Sequence, residues 1–355
     1  MSRQIGSLTG IRGIAALWVA LFHSKLAFHL PTTWWTAPIE QGWAGVDLFF
    51  VLSGFILMHA HGGDFVRVSS VAWKRFLRGR VVRVYPLNFV VLLGIVAITH
   101  GGQGVALIPD NTALIAAFLA TATLITMWLP ENWTLNPPVW SLSAELVGYL
   151  AFPVLAHGLM RLRLSSAVVA AVSFGVMVWA RASLHQAHSA QIEGWGALIR
   201  LAGCFVGGAA LWRLRSVLPD SWARLAGPVA AASLAAIVVC SAFYGWSEAL
   251  PSLFGVLIIS LSYQRGWIAQ ALAHRSLYGL GVVSFPFYMT HLWVLDWFRA
   301  TYPTDDLSLR IGLIAASLFT TLGLAILLHR WVEVPCQRFG RRRRPGIENR
   351  SSGGV

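Results

Sequence analysis

Two ionisable residues that could bind or activate a substrate, Arg12 and His23, lie within the first long apolar segment, residues 8–28. They are eleven positions apart. On an α-helix this spacing is three turns plus roughly 20°, so both side chains share one face, about 16 Å apart along the axis. Ionisable groups in a membrane segment usually face a bundle interior or a wet cavity. We therefore expect a polar track that enters the membrane at Arg12 and reaches His23 deeper in.

A carboxylate that could assist His23 lies in the second apolar segment, residues 43–60, which contains Asp47. If the first two helices pair antiparallel, His23 and Asp47 lie at similar depth. A histidine that is oriented by a carboxylate can act as a general base. The alternative is that Asp47 neutralises Arg12 or Lys25, or caps a helix end.

Two arginines three positions apart, Arg80 and Arg83, precede the third apolar segment in the run RVVRVYP. Side chains at this spacing are neighbours on a helix, and two guanidinium groups so placed can bind a phosphate through paired hydrogen bonds. Composition alone favours the alternative, in which the arginines are flanking cytoplasmic charge or contact lipid headgroups.

The run WSLSAE opens the fifth apolar segment and places Ser141 and Glu145 four positions apart. A helix-capping motif explains Ser141. It does not explain Glu145, which lies more than a turn into an apolar helix, so Glu145 is a functional candidate.

The late run SFPFYMTH places Ser284, Tyr288 and His291 at helical spacing on one face. A lone histidine in a bundle is usually a satisfied hydrogen-bonding group, but three polar groups on one stripe favour the wall of a cavity. Pro286 is expected to kink this helix. Glu333, at the end of the last apolar segment, is expected to pair with nearby arginines.

The composition predicts an all-α membrane protein. The chain of 355 residues is 56% hydrophobic and only 12% charged, against roughly 25% charged for a soluble domain. At about 20 residues per crossing it can supply on the order of ten helices. Arg12 interrupts the first apolar run, so no cleavable signal peptide is expected.

The net charge of +13 does not indicate nucleic acid, because the basic residues fall in short loops between apolar segments, which is the positive-inside pattern. The three cysteines are far apart, without metal-ligand or redox spacing. We therefore expect no metal and no nucleic-acid partner. The sequence gives no indication of oligomeric state.

Eleven apolar segments are candidate helices: 8–28, 43–60, 84–99, 113–128, 139–160, 167–180, 197–212, 228–244, 250–263, 280–297 and 309–331. Basic residues at 62–83 and 338–344 predict that both of these stretches are cytoplasmic. Eleven full crossings would place the later basic loops outside. We therefore expect about ten crossings with both termini cytoplasmic, and a re-entrant or interfacial helix near 113–128. One membrane domain, 1–338, would precede a basic tail, 339–355, that is expected to be disordered.

Taken together, these motifs resemble the type 3 membrane acyltransferases of bacteria, which O-acylate surface polysaccharides, exopolysaccharides and nodulation factors. The resemblance covers nearly the whole chain. It rests on Arg-x10-His (Arg12, His23), VDLFFVLSGF (Asp47, Ser53, Gly54), RxxR (Arg80, Arg83), WSLSxE (Ser141, Glu145), Ser-Phe…Tyr…His (Ser284, Tyr288, His291) and E-x-P (Glu333, Pro335).

The resemblance implies transfer of an acyl group, most often acetyl, from cytoplasmic acetyl-CoA or another acyl-CoA to a hydroxyl of a carbohydrate that is lipid-linked or polymeric. It implies a multi-pass protein in contact with the lipids of the bacterial inner membrane. The residues then take the following roles: Arg12, Arg80 and Arg83 bind the donor, His23, Asp47 and Glu145 are catalytic, and Ser141, Tyr288 and His291 bind substrate. Direct transfer and an acyl-histidine intermediate both remain open.

Two other function classes compete with an enzyme. A proton-coupled transporter or exporter also uses buried histidine and carboxylate residues, but it predicts internal repeats, and none is evident. A structural membrane scaffold does not explain why the chain would place ionisable side chains inside the bilayer, where they cost free energy. These residues are Arg12, His23, Asp47 and Glu145.

Overall fold

The computed structural model describes residues 5–100, 111–130, 133–183, 194–243 and 246–342. Within these ranges the fold is built from helices and contains no strand, which confirms the all-α prediction. The α-helices are α1 (Gly6–Ala27), α2 (Ala37–Glu40), α3 (Gly45–His61), α4 (Ser70–His100), α5 (Asn111–Thr123), α6 (Trp140–Arg161), α7 (Ser165–Ser183), α8 (Gly194–Arg215), α9 (Ala226–Ala242), α10 (Leu250–Leu261), α11 (Trp267–Ala273), α12 (Arg275–Val282), α13 (Ser284–Thr301), α14 (Leu307–Leu328) and α15 (Val334–Arg342).

Six helical stretches in the described ranges are long and apolar enough to cross a membrane: Ala37–Phe65, Ser70–Ile98, Pro137–Arg161, Ser165–Ser183, Gly194–Arg215 and Leu307–Gly340. Several of their large apolar side chains face outward, such as Phe319, which is 74% exposed, and Val172. Outward apolar side chains suit a lipid environment, where only the backbone must be satisfied internally. The expected count of about ten crossings is not confirmed, because α9 and α10 are shorter apolar helices and α1 and α13 are not among the six.

The basic stretch before the third apolar segment is mostly helical, not a loop. Helix α4 starts at Ser70 and continues through Pro86 to His100, so the arginines of the RVVR run lie inside it. Hydropathy placed the helix start too late because lysine and arginine are good helix formers although they are polar. Helix α4 therefore carries its positive charge on a rigid element.

The helix is interrupted near Pro286, where the sequence predicts a kink. The apolar segment 280–297 is divided at Val283 between α12 and α13, and Pro286 is the third residue of α13. A proline in the first turn of a helix removes no intrahelical hydrogen bond, since the amide there has no partner to lose.

Close contact between α3 and α8 forms the centre of the bundle, and two glycines allow it. A Cβ on Gly54 would lie 2.0 Å from the carbonyl oxygen of Phe205, and one on Gly208 would lie 2.0 Å from that of Val51. Small residues let helix backbones approach in this way in membrane proteins. Helix α8 also packs against α6 and α7, while α1 packs against α12 and α13.

An aromatic cluster fixes α4 against α6. Phe76 of α4 stacks on Phe152 of α6 with ring centroids 4.9 Å apart, and Phe65 meets both rings edge-on. Buried aromatic pairs of this kind add about 0.5–1.5 kcal/mol beyond their area burial. The cluster sets the position of Arg80, one helical turn after Phe76.

The segment predicted to be re-entrant forms α5 and a 3₁₀ turn, Thr126–Trp128. Asn88 of α4 donates a hydrogen bond to the carbonyl of Thr121 over 3.0 Å. Asn136, in the loop after the turn, donates to the carbonyl of Met289 in α13 over 2.9 Å. These contacts attach the segment to α4 and α13, and its position relative to the membrane stays a prediction.

The division into a membrane domain and a tail also stays a prediction. Helix α15 includes the first four residues of the expected tail, 339–342. Residues 343–355 lie outside the described residues.

Candidate active site

One cavity, with about 850 Å³ of empty space including its mouth, lies between α1, α3, α4, α6 and α13. Its polar lining residues are Arg12, Ser53, Arg80, Arg83, Ser141, Glu145, Tyr149, Ser284 and Tyr288. Ser141, Glu145 and Tyr149 recur every four residues on one face of α6, and this row spans about 12 Å. The cavity thus brings together six of the nine residues that the sequence singled out as site residues.

The end of the cavity near Tyr149 is positively charged. The guanidinium carbon of Arg80 lies 5.9 Å from the Tyr149 ring centroid and 5.6 Å from that of Phe76. Its Nε atom is buried and has no hydrogen-bond partner. Arg83 lies within electrostatic range of both Arg80 and Arg12.

Two carboxylates oppose these three cations. Glu145 interacts electrostatically with Arg12 and Arg80, and Glu333 interacts with Arg12. Glu333 lies in a π-helical turn, His329–Glu333, and its Oε2 atom is 2.7 Å from Nδ1 of His329. The five groups carry a formal charge of +1, so this end of the cavity favours an anion.

Glu145 lies midway along the α6 row and joins two walls of the cavity. The hydroxyl of Ser53 on α3 donates a hydrogen bond to Oε1 of Glu145, and the hydroxyl of Tyr149 also bonds to Glu145. The carboxylate is therefore held by neighbours on α3 and α6.

Two hydroxyl groups form the other end of the cavity. The phenol of Tyr288 on α13 lies 2.9 Å from the hydroxyl of Ser141 on α6, and both groups lie 3.0 Å from the carbonyl oxygen of Pro138. Both side chains are buried. They form a rigid polar wall that two helices and the preceding loop hold in place.

His23 and His291 form a pair just behind this wall, and neither is among the residues that line the cavity. Nδ1 of His23 lies 3.1 Å from Nε2 of His291. His291 is 2% exposed, and its ring centroid is 5.6 Å from that of Tyr288. On α1, Arg12 therefore lies in the wall of the cavity. His23 lies beyond the end of the cavity that Ser141 and Tyr288 form.

Asp47 has different partners from those that the sequence suggested. Its Oδ1 atom accepts a hydrogen bond from Nε of Arg200 over 3.0 Å, and its Oδ2 atom accepts one from Arg181 over 3.4 Å. Both arginines also lie over the ring of Trp43, at 4.1 Å for Arg181 and 5.2 Å for Arg200. Asp47 is fully buried in this cluster and joins α3 with α7 and α8, while its catalytic role stays a prediction.

Sequence reasoning missed Arg181 and Arg200, although a signal was present. Arg200 lies inside an apolar segment and Arg181 directly follows one. Lone charges at such positions require a buried partner, which is the argument that singled out Arg12. Lys25, an alternative partner for Asp47, instead pairs with Glu40 at 2.6 Å.

Comparison with known proteins identifies the family. A family model described as an acyltransferase domain matches residues 5–330. The chain belongs to this acyltransferase family. No solved structure matches the chain significantly.

The acyltransferase MdmB of Streptomyces mycarofaciens is 29% identical over 391 aligned residues, which cover 96% of this chain and 94% of that protein. A protein of Staphylococcus aureus (strain COL) named "Putative O-acetyltransferase" is 24% identical over 368 residues, 95% of this chain and 58% of that protein. "Protein 2 in picA locus" of Rhizobium radiobacter is 34% identical over 154 residues, 39% of this chain and 76% of that protein.

An acyltransferase needs a place for its acyl donor and a group that accepts a proton. The arginine end of the cavity can bind an anionic donor, and the hydroxyl end adjoins a histidine pair. Among the described residues, no group of three or more His, Cys, Asp and Glu side chains could hold a metal ion. The residues around the cavity can supply anion binding, hydrogen bonding and proton transfer.

Proposed function

We propose that this acyltransferase is a membrane O-acyltransferase that moves an acyl group, most often acetyl, from cytoplasmic acyl-CoA to a hydroxyl of a carbohydrate such as a surface polysaccharide or exopolysaccharide unit. The name of the Staphylococcus aureus relative supports O-acetyl transfer. The observation that carries the proposal is the cavity, which joins an arginine cluster at one end to the Ser141–Tyr288 wall at the other.

We assign the acyl donor to the arginine end, which is the positively charged end of the cavity that contains Arg12, Arg80 and Arg83. Coenzyme A carries phosphate groups, and guanidinium groups bind phosphate through paired, charge-assisted hydrogen bonds. The buried, unpartnered Nε of Arg80 supports this assignment, because a buried donor without a partner is costly unless a ligand satisfies it. The pantetheine arm would then lie along the α6 row, with the thioester near Ser141 and Tyr288.

His23 is assigned as the base. It accepts the proton of the acceptor hydroxyl while the oxygen attacks the thioester carbonyl, the C–O bond forms and the C–S bond breaks. The thiolate of coenzyme A leaves and is protonated by the proton that His23 took up. The same transfer can also occur in two steps through an acyl-histidine intermediate. Rapid quenching in the absence of acceptor distinguishes this route from direct transfer, because only the two-step route leaves an acylated histidine.

Glu145 is assigned to the donor end because its carboxylate already accepts hydrogen bonds from Ser53 and Tyr149 and balances Arg12 and Arg80. Ser141 and Tyr288 are assigned to the reacting thioester. One of the two hydroxyl groups can turn its hydrogen from the carbonyl of Pro138 to the thioester oxygen as negative charge develops there.

The experiment uses the full-length protein in lipid nanodiscs with radiolabelled acetyl-CoA and oligosaccharides that carry free hydroxyl groups. Transfer of label to the oligosaccharide is expected, and Arg80→Ala should raise the KM for the donor at least tenfold, about 1.4 kcal/mol. Arg78→Ala is the matched control, because Arg78 precedes Arg80 on α4 but is exposed and does not line the cavity.

Equal effects of Arg80→Ala and Arg78→Ala would overturn the donor site. If acetyl-CoA neither binds nor is consumed, the acyl-CoA donor itself is wrong. Label transfer to small aglycone alcohols but to no oligosaccharide would overturn the carbohydrate acceptor while leaving the acyltransferase in place.

A further inference from the structure

We infer that His291 is a positioning residue that, together with the carbonyl of Val19, holds the tautomer of His23 in which Nε2 carries the lone pair in the resting protein. The inference deepens the proposed function, in which His23 is the base, and it replaces the substrate-binding role expected for His291. It rests on the hydrogen bonds around the two rings, which connect α1 to α13.

The first ring to consider is that of His23. Its Nδ1 atom lies 3.0 Å from the carbonyl oxygen of Val19, one turn earlier on α1. A carbonyl oxygen can only accept a hydrogen bond, so Nδ1 of His23 must carry a proton. A neutral imidazole has one N–H group. The lone pair of neutral His23 is therefore on Nε2.

The hydrogen bonds of the His291 ring independently indicate that Nδ1 of His23 carries the proton. Its Nδ1 atom lies 2.6 Å from the carbonyl oxygen of Tyr288, so this nitrogen carries the proton of the ring. Nε2 of His291 is 3.1 Å from Nδ1 of His23. If both of these nitrogens carried protons, two N–H groups would oppose each other. Nε2 of His291 therefore accepts, and the Nδ1–H group of His23 is shared between His291 and Val19.

This arrangement prepares His23 for proton transfer. When Nε2 of His23 takes the acceptor proton, its Nδ1–H group still donates to His291, and the bond becomes charge-assisted and stronger. His291 has no proton to give back along this path, because its own N–H group is held by Tyr288. It also holds the His23 ring in one orientation relative to the Tyr288 wall.

Burial separates this role from direct contact with substrate. His291 is 2% exposed, whereas His23 is only partly buried. It acts on the reaction through His23 only. The protonation pattern of His23 tests its tautomer, and substitutions of His291 test the positioning role.

The experiment is nitrogen NMR on the full-length protein, labelled with ¹⁵N-histidine and held in lipid nanodiscs. The signal that disappears in His23→Ala is assigned to His23. It is expected to show a protonated Nδ1 and an unprotonated Nε2 at neutral pH. A protonated Nε2 with an unprotonated Nδ1 would overturn the inference.

Two substitutions test His291 itself. His291→Gln keeps an amide oxygen that can accept from His23, whereas His291→Leu removes the acceptor at similar volume. For His291→Leu we expect a loss of turnover of about 10–100-fold, which is typical of groups that orient a functional histidine, with the donor KM unchanged. His291→Gln should restore most of this rate. Equal rates for the two variants would overturn the positioning role, and the melting temperatures of both variants show whether the fold is intact.

The result for His23→Ala separates this inference from the proposed function. If His23→Ala transfers acyl groups at the wild-type rate, His23 is not the base and the proposed mechanism fails. The NMR measurement still decides the tautomer in that case, because it does not depend on activity.

Discussion

Asp47 accepts a hydrogen bond from Nε of Arg200 over 3.0 Å, and its Oδ1 atom lies 2.9 Å from the Nη2 atom of the same guanidinium. The carboxylate of Asp47 is fully buried, and Arg181 contacts its second oxygen. This buried group of charges joins three helices next to the cavity. The carboxylate that the sequence suggested for His23 is thus engaged by two arginines.

Removing the Asp47 carboxylate should destabilise the fold. Asp47→Ala leaves two buried arginines without this counter-charge, and breaking a buried ion pair from one side costs roughly 3–5 kcal/mol. The free energy of unfolding, or the apparent melting temperature in detergent, measures the loss.

The control for Asp47 is the exposed Asp305, whose carboxylate lies 2.6 Å from the partly buried Arg310. Asp305→Ala should cost less than about 1 kcal/mol, because solvent screens surface pairs. A variant Asp47→Ala that melts like wild type but transfers no acyl group would contradict the structural role and favour the catalytic one.

Substitution of Glu145 should distinguish a charge-balancing role from a catalytic one. Glu145→Gln keeps a hydrogen-bond acceptor for Ser53 but raises the formal charge of the arginine end from +1 to +2. We expect the KM for acyl-CoA to fall or stay constant, while turnover changes by less than about tenfold. Initial rates at varied donor concentration measure both quantities. If turnover instead falls by about two orders of magnitude or more at constant KM, Glu145 is the base.

The contact between α3 and α8 predicts strong intolerance at Gly208. In Gly208→Ala the new Cβ would meet the backbone carbonyl of Val51 at 2.0 Å, so the helices must separate and their packing is lost. Yield of monodisperse protein and melting temperature report this loss. Gly158→Ala on α6 is the control, since no atom lies within 4 Å of its Cβ position. A similar loss for both variants would mean that close packing at Gly208 is not its cause, because alanine has the higher helix propensity at both sites.

The topology is testable with a reporter enzyme that is active only outside the cytoplasm. Fused after Glu131, it should be active, because the expected re-entrant helix returns the chain to the outer side. Fused after Arg215, it should be inactive, because Arg213 and Arg215 end α8 in a basic stretch that the positive-inside rule places in the cytoplasm. Inactivity after Glu131 would mean that residues 113–128 cross the membrane.

The sequence by itself determined the helical class and the position of nearly every apolar helix. The predicted segment 139–160, for example, corresponds to Trp140–Arg161. Hydropathy predicts these helices because the backbone hydrogen bonds of each helix form within the helix itself, so the local sequence is enough to identify it. Six of the motif residues, Arg12, Arg80, Arg83, Ser141, Glu145 and Tyr288, line one cavity. Their roles stay predictions.

Only the tertiary structure decided which buried charges meet. Asp47 pairs with arginines 134 and 153 positions away, and His23 pairs with a histidine 268 positions away. No local pattern encodes such partners, because they depend on how α3 meets α7 and α8 and how α1 meets α13. A charged residue within an apolar segment indicates that a buried partner is needed, but the packing of the helices determines which residue that partner is.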